Sequence, residues 1–217
     1  MNWLDKNLNW VEYAQSQGVE GFLHCSEAGR LVELADGKDY CEIGSFKGLS
    51  AWCVAHVANH VTAIDTHCAN SAGQVQMPEQ TTYAEFCRNL APFWDKVTCL
   101  PFSSERANEL MAPDATFDVI FIDAFHSYEE VKADVGRWWP RVRPGGYLAA
   151  HDYAHWDFPE VKQALDEIFG PAPEGTTCVT LRWIEKPLTY LIADQVFPAS
   201  MFPSAIPYCA KPLGGGE

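Results

Sequence analysis

The segment Tyr40-Cys-Glu-Ile-Gly-Ser-Phe-Lys-Gly-Leu-Ser50 constrains this chain more than any other. It reads as a buried strand, a glycine-containing turn and the start of a helix. The carboxylate Glu42 ends the strand, and Gly44 and Gly48 bracket the turn. Glycine lacks a Cβ and tolerates positive φ, so the backbone there can approach a ligand closely. The following helix offers free N–H groups to a polar or anionic group. Val61-Thr-Ala-Ile-Asp65 repeats the pattern as a second apolar strand ending in an acid. Two such strand ends predict a site for a nucleotide-like cofactor.

The flanking sequence supports an α/β reading. Residues 1–36 are expected to form a helical cap, with amphipathic stretches around Trp10, Tyr13 and Ala14 and around Ala28, Leu31, Val32 and Leu34. From residue 38 onward, strands and helices alternate, which predicts a mostly parallel sheet covered on both faces. Strands are expected near 39–43, 61–65, 96–100, 117–123 and 147–150, the last entered through the sharp turn Pro144-Gly-Gly146. Helices are expected near 47–58, 80–91, 104–111 and 158–169, with another opened by a Ser127/Glu130 capping box. Two terminal strands, near 177–183 and 188–193, are separated only by Ile184-Glu-Lys-Pro187 and should pair antiparallel. The expected organisation is one domain over 1–217, with a core at 38–193 and an irregular proline-rich tail at 195–217.

Composition narrows the function classes. The net charge of −14 would repel phosphate backbones and anionic lipid, which argues against a nucleic-acid or membrane partner. The eight cysteines include no C-x-x-C pair, and several fall inside apolar patterns. No basic-then-apolar leader and no membrane-length apolar run is visible, so the expectation is a soluble, reducing, cytoplasmic setting.

In an open parallel sheet, ligands bind beyond the carboxyl ends of the strands, at the switch point of strand order. Glu42, Gly44, Asp65, Ser103 and Asp123 fall on that rim. A dinucleotide site would want G-x-G-x-x-G to seat a pyrophosphate. This chain instead has Glu42-x-Gly44-x-x-x-Gly48. The acid would repel pyrophosphate but suits the cationic methionine end of S-adenosylmethionine. A vicinal ribose diol is the expected partner of Asp65.

At this point the chain resembles the class I S-adenosylmethionine-dependent methyltransferases over roughly residues 38–193, through CEIGSFKGLS, VTAIDTH, FDVIFIDAFHSYEEVKADV and RPGGYLAAHDY. IDAFHSY followed by HDY resembles the small-molecule O-methyltransferase branch that includes macrolide-sugar and catechol-type enzymes. The resemblance implies a Rossmann-like, doubly wound seven-stranded sheet with an antiparallel last strand. It also implies cofactor contacts from Glu42, Gly44, Ser45, Gly48, Asp65, Asp123 and Ser103, with Ser50 and His67 as weaker carry-overs.

Methyl transfer needs an aligned, deprotonated nucleophile. Asp123 and His126 follow strand 4, and His151 and Asp152 follow strand 5, so these four should converge. Resembling enzymes place a divalent cation, usually magnesium, on the acids at these strand ends and a histidine base at the His126 spacing. His151 stands where metal-dependent members often carry an acid, and imidazole suits magnesium less well than oxygen does. Two readings therefore stay open. Asp123, His151 and Asp152 hold magnesium or manganese, or His126 or His151 acts as base with Asp152 orienting it. Residues 68–80 are a candidate lid, Trp156 a candidate wall of an acceptor pocket, and the tryptophan-rich N-terminus a candidate homodimer contact. The expected activity is methylation of a small-molecule hydroxyl, on a sugar or phenol. The alternatives are a cofactor-binding protein without methyl transfer and a nucleotide-dependent oxidoreductase.

Overall fold

The computed structural model describes residues 8–68 and 82–188. The elements run in chain order as α1 (Trp10–Ser16), α2 (Cys25–Ala35), β1 (Asp39–Ile43), α3 (Leu49–Ala55), β2 (His60–Ile64), α4 (Tyr83–Leu90), β3 (Val97–Leu100), α5 (Ser104–Leu110), β4 (Phe117–Ile122), α6 (Tyr128–Trp138), β5 (Val142–Ala150), α7 (Pro159–Phe169), β6 (Thr177–Cys178) and β7 (Leu181–Glu185). The strands form one seven-stranded sheet in the order β3-β2-β1-β4-β5-β7-β6. All pairings from β3 across to β5 are parallel, and β7 runs antiparallel to both of its neighbours. The expected Rossmann-like sheet and its antiparallel last strand are both present.

Strand periodicity sorts the core into two layers. Tyr40 faces the helices α1 to α4 together with Trp10, Leu31 and Trp52. Cys41 and Ile43 face the opposite way, toward Val131, Trp138 and Leu165 of α6 and α7. Glu42 shares the Tyr40 face and lies fully buried beneath α3. The chain builds β1, β2 and β3 toward one edge, then returns to β4 beside β1 and continues toward the other. The carboxyl ends of β1 and β4 are therefore the switch point, where such sheets open a crevice. Gly44 sits in that crevice with φ +90°, and a Cβ there would lie 1.9 Å from the Asp123 carbonyl oxygen. Only glycine permits this approach of the two loops.

Two expectations are corrected. The segment expected as one strand over 177–183 reverses at Val179–Thr180, where Val179 adopts φ +54°, and β7 runs on through Ile184 and Glu185 where the separating turn was expected. The buried Glu27 carboxylate binds the Thr180 and Leu181 amides, and that remote contact sets the turn. Positions from 189 onward lie outside the described residues. Pro144-Gly-Gly146 lies within β5 as an irregularity, because the strand already begins at Val142 and its register with β4 shifts between Phe117 and Val119. The candidate lid beyond Cys68, the 195–217 tail and Trp3 of the candidate dimer contact also fall outside the described residues, while Trp10 is buried in the core. Among the described residues no helix is long and apolar enough to cross a membrane.

Candidate active site

A cavity of roughly 900 Å³ opens over the switch point. Its walls include Gly44 and Ser45 after β1, Asp65 after β2, Ser103 after β3, Asp123 and His126 after β4, and His151 and Asp152 after β5. Ser50 of α3 also lines it. The rim residues expected from sequence thus share one cavity, with three exceptions, of which His67 is buried in the turn behind the wall. Gly48 begins α3 with φ +86°, and a Cβ there would run into Leu90 and Phe86 of α4. Its glycine is required by helix packing, on the side away from the cavity. Glu42 lies one layer behind the wall.

At the β1 end, Glu42 Oε2 accepts hydrogen bonds from the Ser50 hydroxyl at 2.8 Å and the Tyr40 hydroxyl at 3.2 Å. Its Oε1 is buried without a partner, as is the neighbouring Ser45 hydroxyl. Burial raises the Glu42 carboxyl to about 7, against the hydrogen bonds from Ser50 and Tyr40 that favour the anion. Buried polar atoms are nearly always satisfied, so this pair marks a place where a ligand would complete the bonding. The Asp65 carboxylate meanwhile organises the turn. Its Oδ2 accepts from the Ser45 and Phe46 amides at 2.8 and 2.7 Å, and its Oδ1 from the His67 amide at 2.6 Å. His67 holds the same turn, with Nδ1 3.1 Å from the Phe46 carbonyl and its ring packed on Phe86. Ser103 caps α5 by accepting from the Arg106 amide.

The other half of the site is built of charges that satisfy one another. His126 Nε2 lies 3.0 Å from Asp152 Oδ2, and its ring stacks on Phe158 with centroids 4.0 Å apart. Among the described residues, His126 Nδ1 has no hydrogen-bond partner. His151 Nδ1 lies 3.0 Å from the same Asp152 oxygen and 3.4 Å from Asp123 Oδ1, while its Nε2 lies 3.1 Å from Glu27 Oε2. Burial disfavours the imidazolium, yet the surrounding Asp123, Asp152 and Glu27 carboxylates hold His151 protonated far above the usual histidine range. Asp152 is held well below the ordinary carboxyl range, because contacts with His126 and His151 outweigh its burial.

Both nitrogens of His151 are engaged by carboxylates, so in this arrangement neither is turned to the cavity as a free base or ligand. The metal-competent grouping is instead Asp123, His126 and Asp152, whose ligand atoms all lie within 4.8 Å of one another. Trp156 does not wall the pocket either. It is 83 % exposed, and its neighbours His155 and Phe158 line the cavity. Glu27 and Thr180, which sequence reasoning missed, complete the site. The one local trace of Glu27 is its place in a capping box with His24, an unusual N-cap residue.

The switch-point cavity, the unsatisfied acid behind β1 and the acids and histidines beyond β4 and β5 define a class I methyltransferase site. The chain belongs to the methyltransferase domain family, whose sequence model matches residues 41–153. Its cofactor is S-adenosylmethionine. No curated protein matches the chain in sequence. Solved structures share the fold at low identity. An O-methyltransferase from Bacillus cereus in complex with SAH is 15 % identical, with 77 % of this chain and 79 % of that one covered and a TM-score of 0.55. A Corynebacterium glutamicum protein is 17 % identical over 84 % and 91 %, with a TM-score of 0.59. The N-methyltransferase NodS from Bradyrhizobium japonicum is 14 % identical over 75 % and 95 %, with a TM-score of 0.52.

Proposed function

We propose that the protein methylates a hydroxyl oxygen of a small molecule, a sugar or a phenol, with His126 as the general base. The observation that carries this reading is the His126–Asp152 pair, 3.0 Å apart at the cavity wall, with the second ring nitrogen left unpartnered among the described residues. A carboxylate at one imidazole nitrogen fixes the ring and its tautomer, leaving the other nitrogen able to take a proton. The O-methyltransferase activity of the Bacillus cereus neighbour fits this reading. The N-methyltransferase neighbour shows that the fold by itself does not choose the acceptor atom.

When bound, S-adenosylmethionine supplies a methyl group on a sulfonium centre. Glu42 and Ser45, with their unpartnered oxygens, would face its cationic methionine end, together with Gly44 and Ser50. Asp65 and Ser103 would meet the nucleoside portion, and Asp123 would adjoin the reacting centre. Gly48 supports this set through the start of α3. His126 would take the hydroxyl proton of the acceptor at its Nδ1, with Asp152 holding the ring at Nε2. Phe22, Phe125 and Phe158 give the acceptor side apolar walls.

A second reading is favoured by the compact Asp123–His126–Asp152 grouping. These residues would hold a divalent cation, which lowers the pKa of a bound hydroxyl. Their mixed oxygen and nitrogen donors suit manganese better than magnesium. A screen of phenols and sugars, read as cofactor demethylation, tests both readings. His126→Ala is expected to lower turnover by about 100-fold or more while leaving cofactor affinity within about twofold by calorimetry. Unchanged turnover removes His126 from the chemistry. Turnover that survives a chelator selects the metal-free reading, and loss restored by added manganese selects the cation. Cofactor binding without transfer to any acceptor would favour a non-catalytic role.

A further inference from the structure

We propose that Asp134 and Arg137, one turn apart on α6, read the hydrogen-bonding edge of the cofactor's adenine: Asp134 Oδ2 accepts from the exocyclic amine and the Arg137 guanidinium donates to ring N1. The inference rests on the placement of the nucleoside portion beside Asp65 and Ser103, and on neither the acceptor nor the base. Asp134 and Arg137 both line the cavity, with Ala133 beside them and Ser104 of α5 opposite. This is the end reached from β3, whose following loop supplies Phe102 and Ser103 to the same wall.

Asp134 is 4 % exposed and only half satisfied. Its Oδ1 accepts from the Ser104 hydroxyl and from Arg137 Nη1 at 3.2 Å. The Ser104 oxygen in turn accepts from the Trp138 indole at 2.8 Å, so the carboxylate is held in place through one oxygen. Among the described residues, Oδ2 has no hydrogen-bond partner. Burial raises the Asp134 carboxyl above its ordinary range despite the Ser104 and Arg137 contacts, as expected of a buried acceptor still short of a donor. The remaining Arg137 N–H groups are also without a partner among the described residues. A carboxylate only accepts and a guanidinium only donates. Side by side, they offer one acceptor and one donor. Adenine presents the complement, an N6–H donor next to the N1 acceptor. Hypoxanthine, with a 6-oxo group and an N1–H, presents the reverse. Phe102, 37 % exposed at the same wall, adds an aromatic face on which a planar base can stack. An aspartate serving only to pin α5 to α6 would not need to keep an oxygen open at a cavity wall.

Calorimetry on the full chain with S-adenosylhomocysteine and its 6-oxo counterpart, S-inosylhomocysteine, tests this without any acceptor. The wild type is expected to bind the adenosyl compound at least about 10-fold more tightly. Asp134→Asn keeps an oxygen for Ser104 and Arg137 but sets an NH2 at the open position, where it opposes the adenine amine and suits the 6-oxo group. The preference is then expected to fall to about threefold or less. Arg137→Met removes the donor from a half-buried position. It is expected to reduce the preference by about threefold or more, and it carries the test if the asparagine variant does not fold. A purely structural Asp134 would lower the unfolding temperature and leave the wild-type preference in place. That result, or equal binding of the two compounds by the wild type, overturns the proposal while leaving the cofactor site standing. Absence of binding by either compound would remove the cofactor placement along with it.

Discussion

Two buried glutamates bear on the cavity, Glu27 from its wall and Glu42 from the layer behind it, and they are solvated by the protein in opposite ways. Glu42 keeps one oxygen without a partner, and burial raises its carboxyl to about 7. Glu27 is as deeply buried, but contacts with His151, His24 and Thr180 overcome burial and hold its carboxyl at about 2. The difference teaches how to read a buried acid. One whose hydrogen bonds are complete belongs to the scaffold of the site, and one left incomplete is poised for a ligand. For an enzyme that must bind a cation-bearing cofactor, the incomplete carboxylate is at the cofactor end and the complete one behind the base.

The comparison breaks first on stability. Glu27→Ala leaves His151 buried among fewer carboxylates and strips three backbone amides, those of His24, Thr180 and Leu181, of their acceptor, so denaturant unfolding should show a loss of about 3–5 kcal/mol. Glu42→Gln should do the reverse. A carboxyl raised from 4.5 to about 7 favours the protonated native state, so its contribution is best below the lower value and is lost as pH rises to the upper one. That penalty is on the order of 3 kcal/mol. Glu42→Gln should therefore match wild type in mild acid and exceed its stability above neutrality. The Glu27 contribution has the opposite sign, since its carboxyl is lowered from 4.5 to about 2. It is present above the upper value and lost as pH falls toward the lower one. Equal responses of the two variants would end the distinction.

A smaller effect sharpens it. A cation favours ionised Glu42, so cofactor affinity measured by calorimetry should fall as pH drops through about 7, by roughly tenfold per unit at the steepest. Glu42→Gln should bind more weakly and lose that dependence. The smallest effect serves as a baseline. Lys132 pairs with Glu167 at the surface at 2.7 Å, and Lys132→Met should change stability by no more than about 1 kcal/mol.

The cofactor half of the site was legible in sequence because its determinants are local. An apolar run, an acid and two glycines within Tyr40–Ser50 specify strand, turn and helix together, and Asp65 repeats the logic on the next strand. The reactive half was legible only as far as strand ends could place it. Asp123, His126 and Asp152 do meet, but the ring of His151 is claimed by a residue 124 positions earlier in the chain. Nothing in a single glutamate on an amphipathic helix announces that contact. The misplaced terminal turn has the same origin, because Glu27 fixes Thr180 across 153 positions. Gly48 erred differently. Its positive φ was expected, but the neighbour that requires it is α4 and not the cavity.

The cap helix bears on how this enzyme can be recombined. A segment that lends a buried anion to the centre behind it is not an exchangeable module. A chimera that takes its first 36 residues from another methyltransferase would orphan His151 and Thr180 unless positions 24, 27, 151 and 180 travel as one unit. Exchanging only the internal segment between β1 and β3 keeps both ends of each of these bonds in one parent, so redesign has most freedom on the side of the sheet farthest from the cap's anchor.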